Sequence, residues 1–154
     1  FHLVKDNLLY VTYMVDHSVY VYDINTGKLR VEKDISPEDA GVMVSPLETE
    51  TASYENLSGL RRRAALYGPL YYHEECNLFS RIYKYSLEQR KGSGNHMEVC
   101  IYDEDFDIVG SEIIKTGYID FIFPTQDGFV AVAKNNTDAD SVKFIRYKIK
   151  SQIK

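Results

Sequence analysis

Apolar and polar positions along this chain recur in short alternating runs broken by turn formers, which predicts strands rather than helices. Residues 8–15, Leu8-Leu9-Tyr10-Val11-Thr12-Tyr13-Met14-Val15, are apolar and rich in aromatic and β-branched side chains, and the run breaks at Asp16-His17-Ser18. Residues 19–24 follow, then Asn25-Thr26-Gly27, where Asn and Gly accept the positive φ of a tight hairpin. Residues 28–33 supply the next strand, so three antiparallel strands are predicted within 26 residues. No 3.6-residue period fits this run.

The unit returns downstream. Residues 78–87 predict a long strand, Lys91-Gly92-Ser93-Gly94-Asn95 a flexible turn, and residues 97–103 another strand. Met97, Val99 and Ile101 alternate there with Glu98, Cys100 and Tyr102, the period-two signature of a sheet with unequal faces. Asp103-Glu104-Asp105 turns the chain and residues 108–114 complete the trio. A third copy runs over 118–123, 129–134 and 142–149, punctuated by Asp127-Gly128 and Asn135-Asn136.

The copies align on one strand. Val19-Tyr20-Val21-Tyr22-Asp23 matches Val99-Cys100-Ile101-Tyr102-Asp103, with Val142-Lys143-Phe144-Ile145-Arg146 as a looser third member. Each has a hairpin partner opening on a turn residue: Asn7-Leu8-Leu9, Asn77-Leu78-Phe79 and Gly128-Phe129-Val130. The second and third copies lie 43 residues apart, close to the length of a propeller blade, and the first and second lie 80 apart, one blade plus an insertion. The expected fold is therefore all-β: about three four-stranded antiparallel sheets as β-propeller blades over 1–34, 67–115 and 116–150, with an insertion over 35–66. Within the insertion, Ser36-Pro37-Glu38-Asp39 carries helix-start chemistry, Ser45-Pro46 blocks extension, and residues 53–65 suit a short helix with Leu57, Leu60 and Ala64 on one stripe.

Composition narrows the functional classes. With 44% hydrophobic and 27% charged residues, the chain is a globular type rather than a disordered one. Its 13 Tyr and 7 Phe, with no Trp, suit half-buried pleated surfaces. A net charge of −5 argues against bulk electrostatic binding to nucleic acid or an anionic membrane. No apolar stretch approaches the roughly 20 residues that span a bilayer, and no signal peptide is visible. A chain starting at Phe1 is expected to be processed or cut from a larger protein. Cys76 and Cys100 are too few for a disulfide scaffold, and two semi-buried thiols are the preferred reading.

Two stretches resemble known propellers. Residues 19–29, V-Y-V-Y-D-I-N-T-G-K-L, resemble the outer hairpin of many bacterial propellers, including the quinoprotein-like and TolB-like groups. Residues 68–85, G-P-L-Y-Y-H-E-E-C-N-L-F-S-R-I-Y-K-Y, are followed by V-C-I-Y-D at 99–103 and D-I-V-G-S-E at 107–112. Together they look like the C-terminal half of uncharacterised six-bladed, TolB-like propeller lipoproteins of gut Bacteroidales, a likeness covering 68–149. The resemblance implies a secreted lipoprotein ancestor at the periplasm or cell surface, and a fold without an established activity. Six blades need about 250 residues at that blade length. Missing blades, or a second copy of the chain, are expected to supply the rest.

Reactive constellations are sparse. Asp103, Asp105 and Asp107 alternate as in calcium loops, but Ile108 and Ile114 stand where such a loop needs Gly and a carboxylate, so a solvated acidic turn is expected. Asn136, Asp138 and Asp140 receive the same reading. His2, His17, His73 and His96 share no metal-ligand spacing, and no metal or cofactor is implied. His73-Glu74-Glu75 is a local His–carboxylate cluster beside Tyr71, Tyr72 and Arg81. If residues 68–73 form an inner strand, Tyr71, Tyr72, His73 and Arg81 point to the central channel or its mouth as a surface for a small polar ligand. Nucleophile elbows and phosphate loops are absent from the sequence. Arg61-Arg62-Arg63 reads as a solvated insertion helix, and the sequons at Asn56 and Asn135 matter only in a eukaryotic host. The expected function is a non-enzymatic module binding a small polar ligand or a protein. A propeller-fold hydrolase or lyase acting on glycan or peptide is the alternative, and a purely structural half-propeller assembly the second.

Overall fold

A computed structural model describes residues 1–37, 65–86, 95–116, 119–133 and 144–150. These form eleven strands and no helix. The first sheet has the order β1 (His2–Lys5), β2 (Leu8–Thr12), β3 (Ser18–Asp23), β4 (Leu29–Asp34). The middle sheet follows as β5 (Leu66–His73), β6 (Leu78–Lys84), β7 (Asn95–Tyr102), β8 (Ile108–Thr116). The third comprises β9 (Ile119–Thr125), β10 (Gly128–Ala133) and β11 (Phe144–Lys148), with β10 central. All pairings are antiparallel and follow chain order.

Turn chemistry sets these meanders. Lys5 pairs with Leu8, leaving Asp6-Asn7 as a two-residue turn with φ of 50° and 61°, the left-handed values a primed hairpin demands and Asp and Asn tolerate. Gly27 does the same between β3 and β4 at φ 67°. Asp23 braces that turn by accepting from Thr26 N at 2.9 Å and pairing with Arg30.

Side-chain alternation then decides what each sheet covers. Tyr10, Val19 and Val21 of the first sheet pack against Leu70, Phe79, Cys100 and Tyr102 of the middle one. The opposite face of the middle sheet presents Val99, Ile114, Ile82 and Ile101 to Phe129 and Tyr147 of the third. Among the described residues, the middle sheet is thus covered on both faces, and each outer sheet on the one that meets it. Between sheets, the closest backbone approaches are β1 to β5, β2 to β5 and β5 to β9. The sheets therefore meet at their first strands and diverge toward their last.

Several expectations need correction. The third sheet has three strands among the described residues, not four. β2 ends at Thr12, because the next backbone groups bond outward: Arg81 donates to Tyr13 O at 2.7 Å and Tyr67 N to Met14 O at 2.8 Å. The sequence alignment of the third copy also slips. Leu8 pairs with Lys5 and Asp23, and Gly128 with Thr125 and Lys148, so Gly128 is equivalent to Leu8 and not to Asn7. The matching third strand is accordingly Phe144–Lys148 rather than 142–146, and Tyr147 falls in step with Tyr22 and Tyr102. Gly128 mimics a turn residue in sequence because of its φ of 156°, yet it is the first residue of β10. The insertion helix, residues 91–94 of the predicted flexible turn, Arg61-Arg62-Arg63, both sequons and the cluster at Asn136, Asp138 and Asp140 lie outside the described residues, whereas Asn95 opens β7.

Candidate functional site

The β5–β6 hairpin carries all four residues singled out in the sequence, and strand alternation divides them. Tyr72 pairs with Phe79 and Leu70 with Arg81, so Tyr72 and Arg81 face the first sheet. Tyr71 pairs with Ser80 and His73 with Leu78, so Tyr71 and His73 face the third. The four do not converge on one surface.

Arg81 is 1% exposed. It donates to Gly68 O at 3.0 Å, His17 O at 3.2 Å and Tyr13 O at 2.7 Å, and its guanidinium lies 4.6 Å from the Tyr67 ring centroid. Burial lowers its pKa to about 10, which leaves it cationic at neutral pH. It ties the β2–β3 loop to the middle sheet. Tyr72 sits at the other end of the strands, its hydroxyl donating to Asn77 Oδ1 at 2.5 Å and its ring under the Lys5 ammonium at 4.6 Å. Tyr71 is half-buried, and desolvation raises its phenol pKa.

His73 is fully buried between the middle and third sheets. Thr125 O, 2.8 Å from Nδ1, can only accept, so Nδ1 carries the proton and Nε2 accepts from Ser80 Oγ at 2.7 Å. Desolvation lowers its pKa below 6.5, with the Thr125 bond and Asp127 opposing. A lowered folded pKa means the unfolded chain binds the proton more readily. Stability is therefore complete above 6.5 and declines as pH falls from there through the lower folded value. Urea midpoints measured from pH 7.5 to 4.5 are expected to fall across this window in the wild type and to stay flatter in His73→Gln. Asp23 and Asp127, whose pKa values are held below 3.8, add their loss only at more acidic pH. Equal slopes in both proteins would remove His73 from the account.

Other polar contacts were not legible beforehand. The Tyr67 hydroxyl and His17 Nδ1 share a hydrogen bond of 2.9 Å, and the Tyr67 ring packs on Tyr83, which packs in turn on Tyr85. Tyr85 donates to Glu98 Oε2 at 2.7 Å. The spacing of Tyr83 and Tyr85 was the single sequence signal, since residues two apart share a strand face. The acidic turn 103–107 is capped from within: Asp103 Oδ1 accepts from Asp105 N at 3.0 Å and Asp107 N at 2.9 Å. Phe106, at φ 62°, leaves the solvent and packs edge-on against Tyr10. Cys76 and Cys100 are both unbridged, and burial pushes the Cys100 thiol up to about 12.

Where the middle and third sheets diverge, a cleft of about 870 Å³ opens. Buried Val99 and Phe129, with Ile101 and Tyr147, form its apolar floor, and exposed Glu112 and Lys150 stand at its rim. Gly110 lies on its wall, and a Cβ there would meet nothing within 4 Å. Its size and mixed lining suit a small molecule with an apolar body and a polar end.

Fold and cleft together define an all-β protein of three consecutive antiparallel sheets, with the middle one enclosed. The family described as Domain of unknown function (DUF4221) matches residues 1–113, and the chain belongs to that family. A crystal structure of a member of that family from Bacteroides vulgatus superposes with a TM-score of 0.68 at 17% identity, over 93% of this chain. The chain spans 44% of the length of that neighbour. No curated protein matches the sequence.

Proposed function

We propose that this chain is a block of β-propeller blades acting as a non-enzymatic binding module, secreted or lipoprotein-anchored in its cellular setting. Support for the blade reading comes from sheets that meet at their first strands and fan outward, as blades around an axis do. The ligand site is the cleft between the middle and third sheets, and the observation that carries it is an apolar floor with a charged rim. It takes an amphipathic small molecule whose apolar part lies on half-buried Ile101 and Tyr147, with its anionic end toward Lys150. Tyr71 and Tyr72 stand on opposite faces of β5 and do not line this cleft, while His73 and Arg81 hold that strand in place.

Fluorescence titration with 1-anilinonaphthalene-8-sulfonate, an anionic aromatic probe, tests the cleft. Gly110→Phe projects a ring from a Cβ that meets nothing within 4 Å, so it should weaken binding by about tenfold, the loss of roughly 1.4 kcal/mol of contact. Its melting temperature should stay near that of the wild type. Unchanged affinity in the variant, or no saturable binding to the wild type, would sink the assignment.

A further inference from the structure

The two junctions of the middle sheet are fastened differently. Toward the first sheet, hydrogen bonds leave every strand from β5 to β7. Tyr67 N reaches Met14 O, Arg81 reaches Tyr13 O and His17 O, and the Tyr102 hydroxyl reaches Ile35 O at 2.8 Å. Lys33 adds an ion pair to Asp107, beyond the end of β7. Toward the third sheet, the hydrogen bonds among the described residues all start from residues 73–76. His73 donates to Thr125 O, Glu75 N donates to Gln126 O at 3.3 Å, and the Cys76 thiol makes a long contact of 4.0 Å with Ile149 O. This seam lies at the end of β5, one edge of the middle sheet, whereas the cleft wall runs out to Val109 and Glu112 on β8, the opposite edge. The other contacts are apolar and carry no direction, so the third sheet is free to swing about the seam.

His73 is the buried titratable group of that seam. Both ring nitrogens are engaged, Nδ1–H by Thr125 O and Nε2 by Ser80 Oγ. A proton added at Nε2 turns Ser80 from donor to acceptor and strands the serine's own hydrogen. It also places a cation where water does not reach. The surrounding groups offset little of this. Asp127, on the turn after β9, attracts the ring, but its carboxylate is already held by Arg146 and Lys148 of β11 and by Thr125 Oγ1. Glu74 and Glu75, on the turn after β5, point their charge into solvent. Tyr71 of β5, Cys76 of the turn, and Leu78 and Ser80 of β6 are uncharged at neutral pH. A charged imidazole is relieved where the seam parts and water enters.

We propose that His73 is a proton-operated pin for the cleft: the neutral ring seats the third sheet against the middle one, and protonation frees it and releases the ligand. Release rests on the cleft as the ligand site; the parting of the seam does not. A molecule lying on Ile101 of the middle sheet and Tyr147 of the third touches both walls, so it binds the seated arrangement. Proton and ligand then oppose each other, each weakening the other by the same factor.

The test titrates 1-anilinonaphthalene-8-sulfonate into the wild type and His73→Gln at pH 7.5 and 5.5. The wild type should bind about threefold to tenfold more weakly in acid, since one proton taken up below 6.5 permits about tenfold over that unit. The variant, whose amide does not titrate, should change by less than about twofold. Amide exchange without the probe, corrected for the intrinsic rate at each pH, should show β9–β11 losing protection in acid while β2–β3 keeps it, in the wild type alone. Equal binding by the wild type at both pH values, parallel weakening in the variant, or protection lost evenly over the three sheets overturns the proposal. No saturable binding at pH 7.5 removes the cleft and ligand release together, and the exchange pattern then decides the seam by itself. If His73→Gln does not fold, magnetic resonance of the wild-type imidazole takes its place: saturating probe should lower its proton affinity, and an unmoved titration overturns the proposal.

Discussion

Arg81→Ala is expected to destabilise the chain by about 3 kcal/mol, among the larger effects open to a single side chain here. The guanidinium is buried and answers three carbonyls, Gly68, His17 and Tyr13, from different parts of the chain. Truncation removes the charged donor from all three oxygens and leaves Tyr13 O and His17 O with the longer bonds from Asp16 N at 3.4 Å and Ile35 N at 3.3 Å, at about 1 kcal/mol for each bond lost. It also removes the cation over Tyr67 and opens a void beside Cys100 and Tyr102. Arg81→Lys keeps the charge but cannot span three acceptors in a fork, so it should fall between the two. Urea unfolding gives the comparison. A loss under about 1 kcal/mol in the alanine variant would show that the backbone donors Asp16 N and Ile35 N suffice without the guanidinium.

Gly128→Ala should cost about as much, for a steric reason. A Cβ at Gly128 would lie 2.2 Å from Tyr147 O and 3.1 Å from Lys148 Cα, both backbone atoms of the paired strand, and the φ of 156° already disfavours a side chain. β10 is the central strand of its sheet, so shifting it disturbs both ladders. The loss is expected at about 3 kcal/mol or more. It should also be local: amide exchange accelerates over β9–β11 more than over β2–β3 or β6–β7. Gly110→Ala, where a Cβ meets open space, serves as the control and should be close to neutral. Uniform acceleration across all three sheets would mean that they unfold as one unit.

The site was less legible than the strands for a reason visible in two residues. Arg81 and His73 look alike in sequence, polar groups in a Tyr-rich run, and both suggested a ligand surface. Structure places them on opposite faces of one hairpin, where Arg81 binds loop carbonyls of the first sheet and His73 a carbonyl of the third. Backbone carbonyls carry no sequence signature, so no reading of residue types could have found these partners. Phe106 shows the converse: an aromatic in an acidic turn reads as exposed, yet its left-handed backbone swings it into the core beside Tyr10.

What the amino-acid order determined by itself was local: period-two alternation, and turn residues such as Asp6-Asn7 and Gly27 that fix where strands reverse. Those features act between near neighbours, through φ preferences and the pleat, so they can be read from one dimension. Tertiary structure decided the register of the third copy, the enclosure of the middle sheet and the cleft where sheets diverge. Each of these depends on which strand lies against which at long range, and many sequences of the same alternation would satisfy several stackings until burial of particular side chains such as Phe79, Tyr102 and Phe129 selects one.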